Sequence, residues 1–173
     1  MVADERTHTG RARSTHMVIV DAQSVKNADT AHLKGYDAGK KVSGIKRHIA
    51  VDSGGLPHAV GITAANVTDR AGALSLFETT AHSLASVEKV LADGGYAGDA
   101  FKDAVRELLG ADVEIAKRTK KHTFAVIPKR WVVERSFAWL EKFRRLWKNC
   151  ERLLVSSIGM MQTAFIRIVV GRF

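Results

Sequence analysis

Met17-Val18-Ile19-Val20 is an unbroken apolar run that stops on Asp21. The pattern returns at Val87 to Ala92, where the run ends on Asp93 and Gly94-Gly95-Tyr96 follow. A short apolar run closed by turn residues reads as a buried strand, and each aspartate is then expected at the strand's carboxyl end, where an open α/β sheet presents its crevice to ligand. Two aspartates at neighbouring strand ends would face one another, so what matters next is whether the chain supplies a third carboxylate and a reason to hold a metal ion.

The intervening sequence supports a sheet with helices on it. Ser24 to Ser43 is rich in Lys, Asp and Gly without a hydrophobic period and is expected to be a long loop. From Gly44 the residues alternate, Ile45, Arg47, Ile49 and Val51 on one parity and Lys46, His48 and Ala50 on the other; Asp52-Ser53-Gly54-Gly55 supplies a turn and Leu56 to Thr63 a second run, which predicts a β-hairpin. Thr68 is placed to cap a helix over Asp69 to His82, a second helix runs from Asp99 to Leu109 and ends on Gly110, and Val113 to Ala116 is a fifth short strand. The order βββ-α-β-α-β-α-α predicts a mixed five-stranded α/β sheet flanked by helices. Residues 1–16 offer nothing periodic to bury and are expected to form a disordered tail, leaving residues 17–173 as a single domain.

The third carboxylate comes from the strongest helical pattern in the chain, Arg130 to Lys148. Val132, Val133, Phe137, Trp139, Leu140, Phe143, Leu146 and Trp147 fall on one broad apolar arc, which assigns both tryptophans to the core, while Arg130, Glu134, Glu141 and Arg145 make a polar stripe beside it. Glu134 is the acid nearest the helix start, on a rigid element suited to a metal ligand, although an Arg130–Glu134 surface ion pair has the same spacing.

Charge then narrows the partner. With 27 Lys and Arg against 18 Asp and Glu the chain carries a formal +9, which favours a polyanion, nucleic acid first. One cysteine, Cys150, excludes an internal disulfide framework, and Leu153 to Val170 is interrupted by Ser156, Ser157, Gln162 and Arg167, so a buried amphipathic helix is expected there rather than a membrane span. A cytoplasmic protein fits these features.

Val20 to Lys26, Lys34 to His48, Ala64 to Arg70, the Ala-Asp-Gly-Gly-Tyr-Ala-Gly segment at Ala92 to Gly98, and Arg130 to Leu140 occur in this order and at matching spacing. On these stretches the chain resembles the DDE transposases of bacterial insertion sequences, in particular the insertion sequence 5 group of the insertion sequence 4 superfamily. The resemblance implies a ribonuclease H-like fold in which the first and fourth strands lie side by side. It assigns Asp21, Asp93 and Glu134 as the metal-binding triad and Arg130 as the arginine of the tyrosine, arginine, glutamate, lysine signature. Ile127 and Glu141 stand where that tyrosine and lysine would fall, so those two roles do not carry over. It also leads one to expect a helical, end-binding region ahead of the first strand, where this chain has only residues 1–16.

The implied chemistry is metal-dependent cleavage at transposon ends and strand transfer to target DNA. Mg²⁺, or Mn²⁺ as its substitute, would be held by hard carboxylate oxygens, with Asp21 bridging and Asp93 and Glu134 completing either side. Double-stranded DNA and further copies of the chain are the expected partners. Two basic groups are expected to contact phosphate: Lys117, Arg118, Lys120, Lys121 and Lys129 before the last acidic helix, joined by Arg135 on it, and Lys40, Lys41, Lys46, Arg47 and His48, with Lys34 nearby. Two other readings stand beside this one: a truncated, non-catalytic remnant that binds DNA or a full-length transposase, and a ribonuclease H-like nuclease of different role.

Overall fold

A computed structural model describes residues 1–116 and 130–171, with Arg130 described by its backbone alone. Among the described residues six strands and five α-helices follow one another as α1 (Val2–His8), β1 (Met17–Lys26), β2 (Gly35–Asp37), β3 (Val42–Val51), β4 (Pro57–Ala64), α2 (Asp69–Thr80), β5 (Lys89–Ala92), α3 (Asp99–Leu109), β6 (Asp112–Ile115), α4 (Arg130–Glu141) and α5 (Leu154–Val170). β1 pairs antiparallel with β3 along nearly its whole length and parallel with β5, and β6 extends the sheet parallel to β5. β2 and β4 share the outer edge of β3, β2 meeting Val42 to Gly44 and β4 the remainder. The side-by-side first and fourth runs of the sequence are thus β1 and β5, as expected, and the sixth strand is the three-residue β2, formed inside the stretch expected to be loop.

Alternation along the strands divides the core in two. Val18, Val20, Ala50, Val90 and Ala92 pack with Ala73, Leu76 and Phe77 of α2 and Phe101 and Val105 of α3. On the opposite face Ile19, Ile45, Ile49, Val51 and Leu91 pack with Val132, Val133, Phe137 and Leu140 of α4 and Met161 and Phe165 of α5. The result is a three-layer arrangement with the sheet covered on both faces. Thr68 caps α2 by accepting the Ala71 amide at 3.2 Å, and Gly110 closes α3 in the left-handed conformation at φ 67°. Among the described residues no helix is long and apolar enough to cross a membrane.

Two expectations change. Residues 2–8, expected to belong to a disordered tail, form a helix whose Arg6 is buried and ion-paired with the fully buried Asp52 of the β3–β4 turn. Arg6 also donates to the carbonyls of Ala12 and Ser14 at 2.8 and 2.9 Å, so it organises the segment leading into β1. The helix from Arg130 ends at Glu141 instead of reaching Lys148. Beyond it the chain turns so that Asn149 donates its amide to Lys26 at 2.9 Å and accepts that of Ala28 at 2.8 Å, extending the hydrogen bonding at the end of β1. Trp147, expected in the core, is consequently 61% exposed, and Trp139 is only partly buried.

Candidate active site

Register brings the two aspartates together. The last parallel pair of β1 and β5 is Ile19 with Leu91, and Asp21 and Asp93 each lie two positions beyond it. Adjacent parallel strands are about 4.8 Å apart, so the two residues leave the paired region side by side. They share the parity of Ile19 and Leu91 and therefore project on the α4 face, where Asp21, Asp93, Ile19, Leu91 and Val133 line one narrow cleft. Asp21 does not terminate its strand, as the sequence suggested: β1 continues to Lys26 beside β3, and what ends at Ile19 is the pairing with β5. The sheet opens there on one side only, and that one-sided opening exposes the aspartate.

Local backbone amides hold both carboxylates. Asp21 Oδ1 accepts the Ala22 amide at 2.8 Å; Asp93 Oδ1 accepts the Gly95 amide at 2.8 Å, capping the short 3₁₀ turn Gly94–Tyr96. Glu134 lies on the exposed side of α4, one residue past the Val133 that lines the cleft. Among the described residues no three His, Cys, Asp or Glu side chains stand close enough together to bind one metal ion. The donor type nonetheless fits: Mg²⁺ takes hard oxygens and only one or two carboxylates directly, and Asp21 and Asp93 present such a pair. Tyr96 reports the local potential. Its phenol is pushed far up by burial and then by the negative charges of Asp21, Asp69 and Asp93, all within electrostatic reach of it.

Beside the aspartates lies a polar network. Lys46 reaches Asp69 Oδ1 at 2.8 Å and Asp37 Oδ2 at 3.3 Å and donates to the Val67 carbonyl at 2.7 Å. The Ser24 hydroxyl, with help from the Lys40 amide and Lys46, holds the Asp37 carboxyl down at about 2 against its partial burial. Lys40 donates to the Ala22 carbonyl at 3.0 Å, and Arg70, which ends one of the matching stretches but was given no role from sequence, donates to the Gly95 carbonyl at 2.8 Å.

Several expected phosphate contacts are corrected. Lys46, Arg47 and His48 are all buried, at 4%, 1% and 1% exposure, because β3 is an interior strand covered on both faces. Arg47 donates to the Leu146 carbonyl at 2.6 Å, and burial lowers its pKa to about 10. His48 shares a hydrogen bond with Thr63 Oγ1 at 2.9 Å, and burial lowers it to about 4. Arg135 lies between the Trp131 and Trp139 rings, 4.5 and 4.8 Å from their centres, and donates to the Gly54 carbonyl at 2.9 Å; it ties α4 to the β3–β4 turn. Lys40 and Lys41 remain at the surface. Lys117, Arg118, Lys120, Lys121, Lys129 and the Arg130 side chain lie outside the described residues. Glu141, standing where the signature lysine would fall, accepts a hydrogen bond from Gln23 at 2.7 Å and so joins the end of α4 to β1.

The profile of the family described as "Transposase DDE domain" matches residues 13–168. A curated Burkholderia cepacia protein, described as "Putative transposase for insertion sequence element IS402", is 39% identical over an alignment of 116 positions that covers 63% of this chain and 54% of that protein. The chain thus spans about half the length of this curated relative. Among solved structures, the catalytic core domain of BIV integrase superposes with a TM-score of 0.53 at 11% identity, covering 89% of this chain and 83% of that one. A chain of the simian T-cell lymphotropic virus intasome, solved with the PP2A regulatory subunit B56 gamma, gives 0.58 at 16% identity, covering 88% of this chain and 48% of that one. These similarities establish the fold as ribonuclease H-like.

Proposed function

The chain belongs to the transposase DDE domain family, and we propose that it is a transposase catalytic domain that cleaves phosphodiesters at transposon ends and joins them to target DNA. The observation that carries this reading is the equal offset of Asp21 and Asp93 beyond the last β1–β5 pair, which points two carboxylates into one cleft beneath α4. Within the family we assign it to the insertion sequence 5 group, on the stretches that carry the resemblance.

Asp21, Asp93 and Glu134 would hold divalent cations, Mg²⁺ with Mn²⁺ as substitute. When bound, such cations lower the pKa of the attacking water or 3′-hydroxyl and stabilise the leaving oxygen. The protein's own part is orientation. The Ala22 and Gly95 amides fix the two aspartates on the sheet, and the Val132, Val133 and Phe137 anchors of α4 fix the helix that carries Glu134. Arg130, one turn before Glu134, is proposed to steady the scissile phosphate. DNA then needs basic surface outside the cleft, which Lys40 and Lys41 provide, together with the basic residues from Lys117 to Lys129. We further propose a homo-oligomer on DNA as the active form, working in the cytoplasm at the nucleoid; one relative in fold was itself solved as an intasome.

The test is a nicking assay on duplex DNA carrying the element's terminal repeats, with Mg²⁺ or Mn²⁺. Wild-type protein nicks only with metal present, and Asp21→Asn, Asp93→Asn and Glu134→Gln each lower the rate by more than about 100-fold, beyond the loss typical of an outer-shell partner. Nicking in chelator, or unchanged nicking by all three variants, would overturn the assignment.

A further inference from the structure

Each of the two cleft aspartates has a cation tethered to a backbone carbonyl just after it in sequence. Lys40, from the β2–β3 turn, donates to the carbonyl of Ala22, the residue following Asp21. Arg70, from the first turn of α2, donates through Nε to the carbonyl of Gly95, two residues after Asp93. The two side chains come from elements 30 positions apart and together line a second, open cleft of about 530 Å³, next to the narrow one that holds Asp21 and Asp93 and shared with Asp37, Gly39, Lys46, Thr68, Asp69 and Gly95.

Charge accounting within the cleft separates structural cations from available ones. Three cations line it against two carboxylates. Lys46 is buried and committed to both Asp37 and Asp69, which stabilises the charge of each. Lys40 lies 3.9 Å from Asp69 with its side chain 46% exposed, and Arg70 is exposed and makes its bond to Gly95 through Nε. The outward positive charge of this cleft therefore belongs to Lys40 and Arg70. A strand of DNA reaching carboxylates that repel its phosphates needs cations immediately beside them, fixed in position so that little side-chain freedom is lost on contact.

We propose that Lys40 and Arg70 are a pair of positioning residues that grip backbone phosphates of the DNA strand flanking the bond to be cut, Lys40 on the Asp21 side and Arg70 on the Asp93 side. This rests on the active-site reading above, but the contact is to phosphate and so is independent of sequence, which lets it be tested without transposon ends.

The measurement is the salt dependence of binding to a short duplex of arbitrary sequence, with calcium in place of magnesium. Arg70→Gln keeps a donor for the Gly95 carbonyl and loses the charge; Lys40→Gln does the same at Ala22. Each lowers the slope of log affinity against log salt by about 0.9, the value for one phosphate contact, and the double variant by about twice that, while Arg70→Lys keeps the wild-type slope. Lys89→Gln, at the opposite end of β5 and paired with Glu114 at 3.0 Å, removes the same charge and leaves the slope unchanged. Thermal melting of each variant confirms that the fold is retained. Slopes unmoved by Arg70→Gln and Lys40→Gln, or an equal fall in Lys89→Gln, overturn the proposal, as does wild-type protein that binds no duplex. Metal-dependent nicking with unmoved slopes would remove this inference alone; slopes set by Lys40 and Arg70 without any nicking would remove the catalytic reading alone.

Discussion

His48 shows how much a single buried side chain decides. It is an imidazole in an interior strand, pressed against Gly72 of α2, where any added Cβ would fall on the ring. Burial is the main cause of its low pKa; Asp69 works against that shift, and Lys46 and Lys40 reinforce it. The folded-state value, about 4, lies below the ordinary 6.5, so between these values the unfolded chain binds the proton and the native protein does not. Stability contributed by neutral His48 is complete above pH 6.5 and is lost as pH falls toward 4. The urea midpoint is therefore expected to fall between about pH 7 and about pH 5, corresponding to a loss on the order of 2 kcal/mol, and His48→Gln flattens that dependence. A wild-type midpoint constant over this range would contradict the assignment. Asp37, held down at about 2, contributes in the same direction only at more acid pH, as it becomes protonated. The same residue marks a limit of reading sequence. Lys46-Arg47-His48 looks like exposed basic surface because its compensating groups, Asp37, Asp69, Thr63 and the Leu146 carbonyl, are remote in the chain and no local pattern announces them.

At the level of elements, the N-terminal helix carries the clearest prediction. Arg6 and Asp52 are nearly or fully buried, and Asp52 also accepts the Gly54 and Leu56 amides at 2.8 and 3.0 Å and lies 3.6 Å from both Arg11 and His58. Burial alone would raise the Asp52 carboxyl, but the nearby His58 and hydrogen bonds from the Leu56 amide, Arg6 and the Gly54 amide outweigh it and hold the carboxyl well below its ordinary value. Removing Arg6 leaves an under-compensated buried charge, and breaking such a pair costs about 3–5 kcal/mol. Arg6→Ala is expected near the low end, since Arg11 and His58 remain, lowering the melting temperature by roughly 6–12 °C; deletion of residues 1–12 should do at least as much. A truncated protein melting like wild type would show that α1 is dispensable. None of this was legible in residues 1–16, because a seven-residue helix with few apolar side chains is anchored by polar contacts, the buried Arg6–Asp52 pair among them, instead of by periodic burial. Helices α2 and α3 were legible to within a few residues, since each carries its own cap and its own apolar face.

For the whole molecule, the order of assembly follows from the sheet. The β3–β4 hairpin and its antiparallel partner β1 lie close in sequence, whereas Met17 meets Lys89 across 72 positions. Contacts of long sequence separation are entropically costly to close and tend to form late. Ile49→Val in β3 is therefore expected to slow folding in proportion to its destabilisation, and Val90→Ala in β5 to speed unfolding while leaving the folding rate nearly unchanged. Stopped-flow chevrons separate these outcomes, and an equal slowing of folding by both would refute the order. The sequence announced the two aspartates but not why they meet, because the register of a parallel pair is written in no local turn. For a nuclease this geometry has a bearing on the cell that makes it. Translation must pass Asp93 before the second carboxylate exists to join the first, and must pass Glu134 before the helix above them can close. A polypeptide still on the ribosome, close to messenger RNA and in many bacteria to the gene itself, thus carries the residues proposed to cut DNA apart for most of its synthesis.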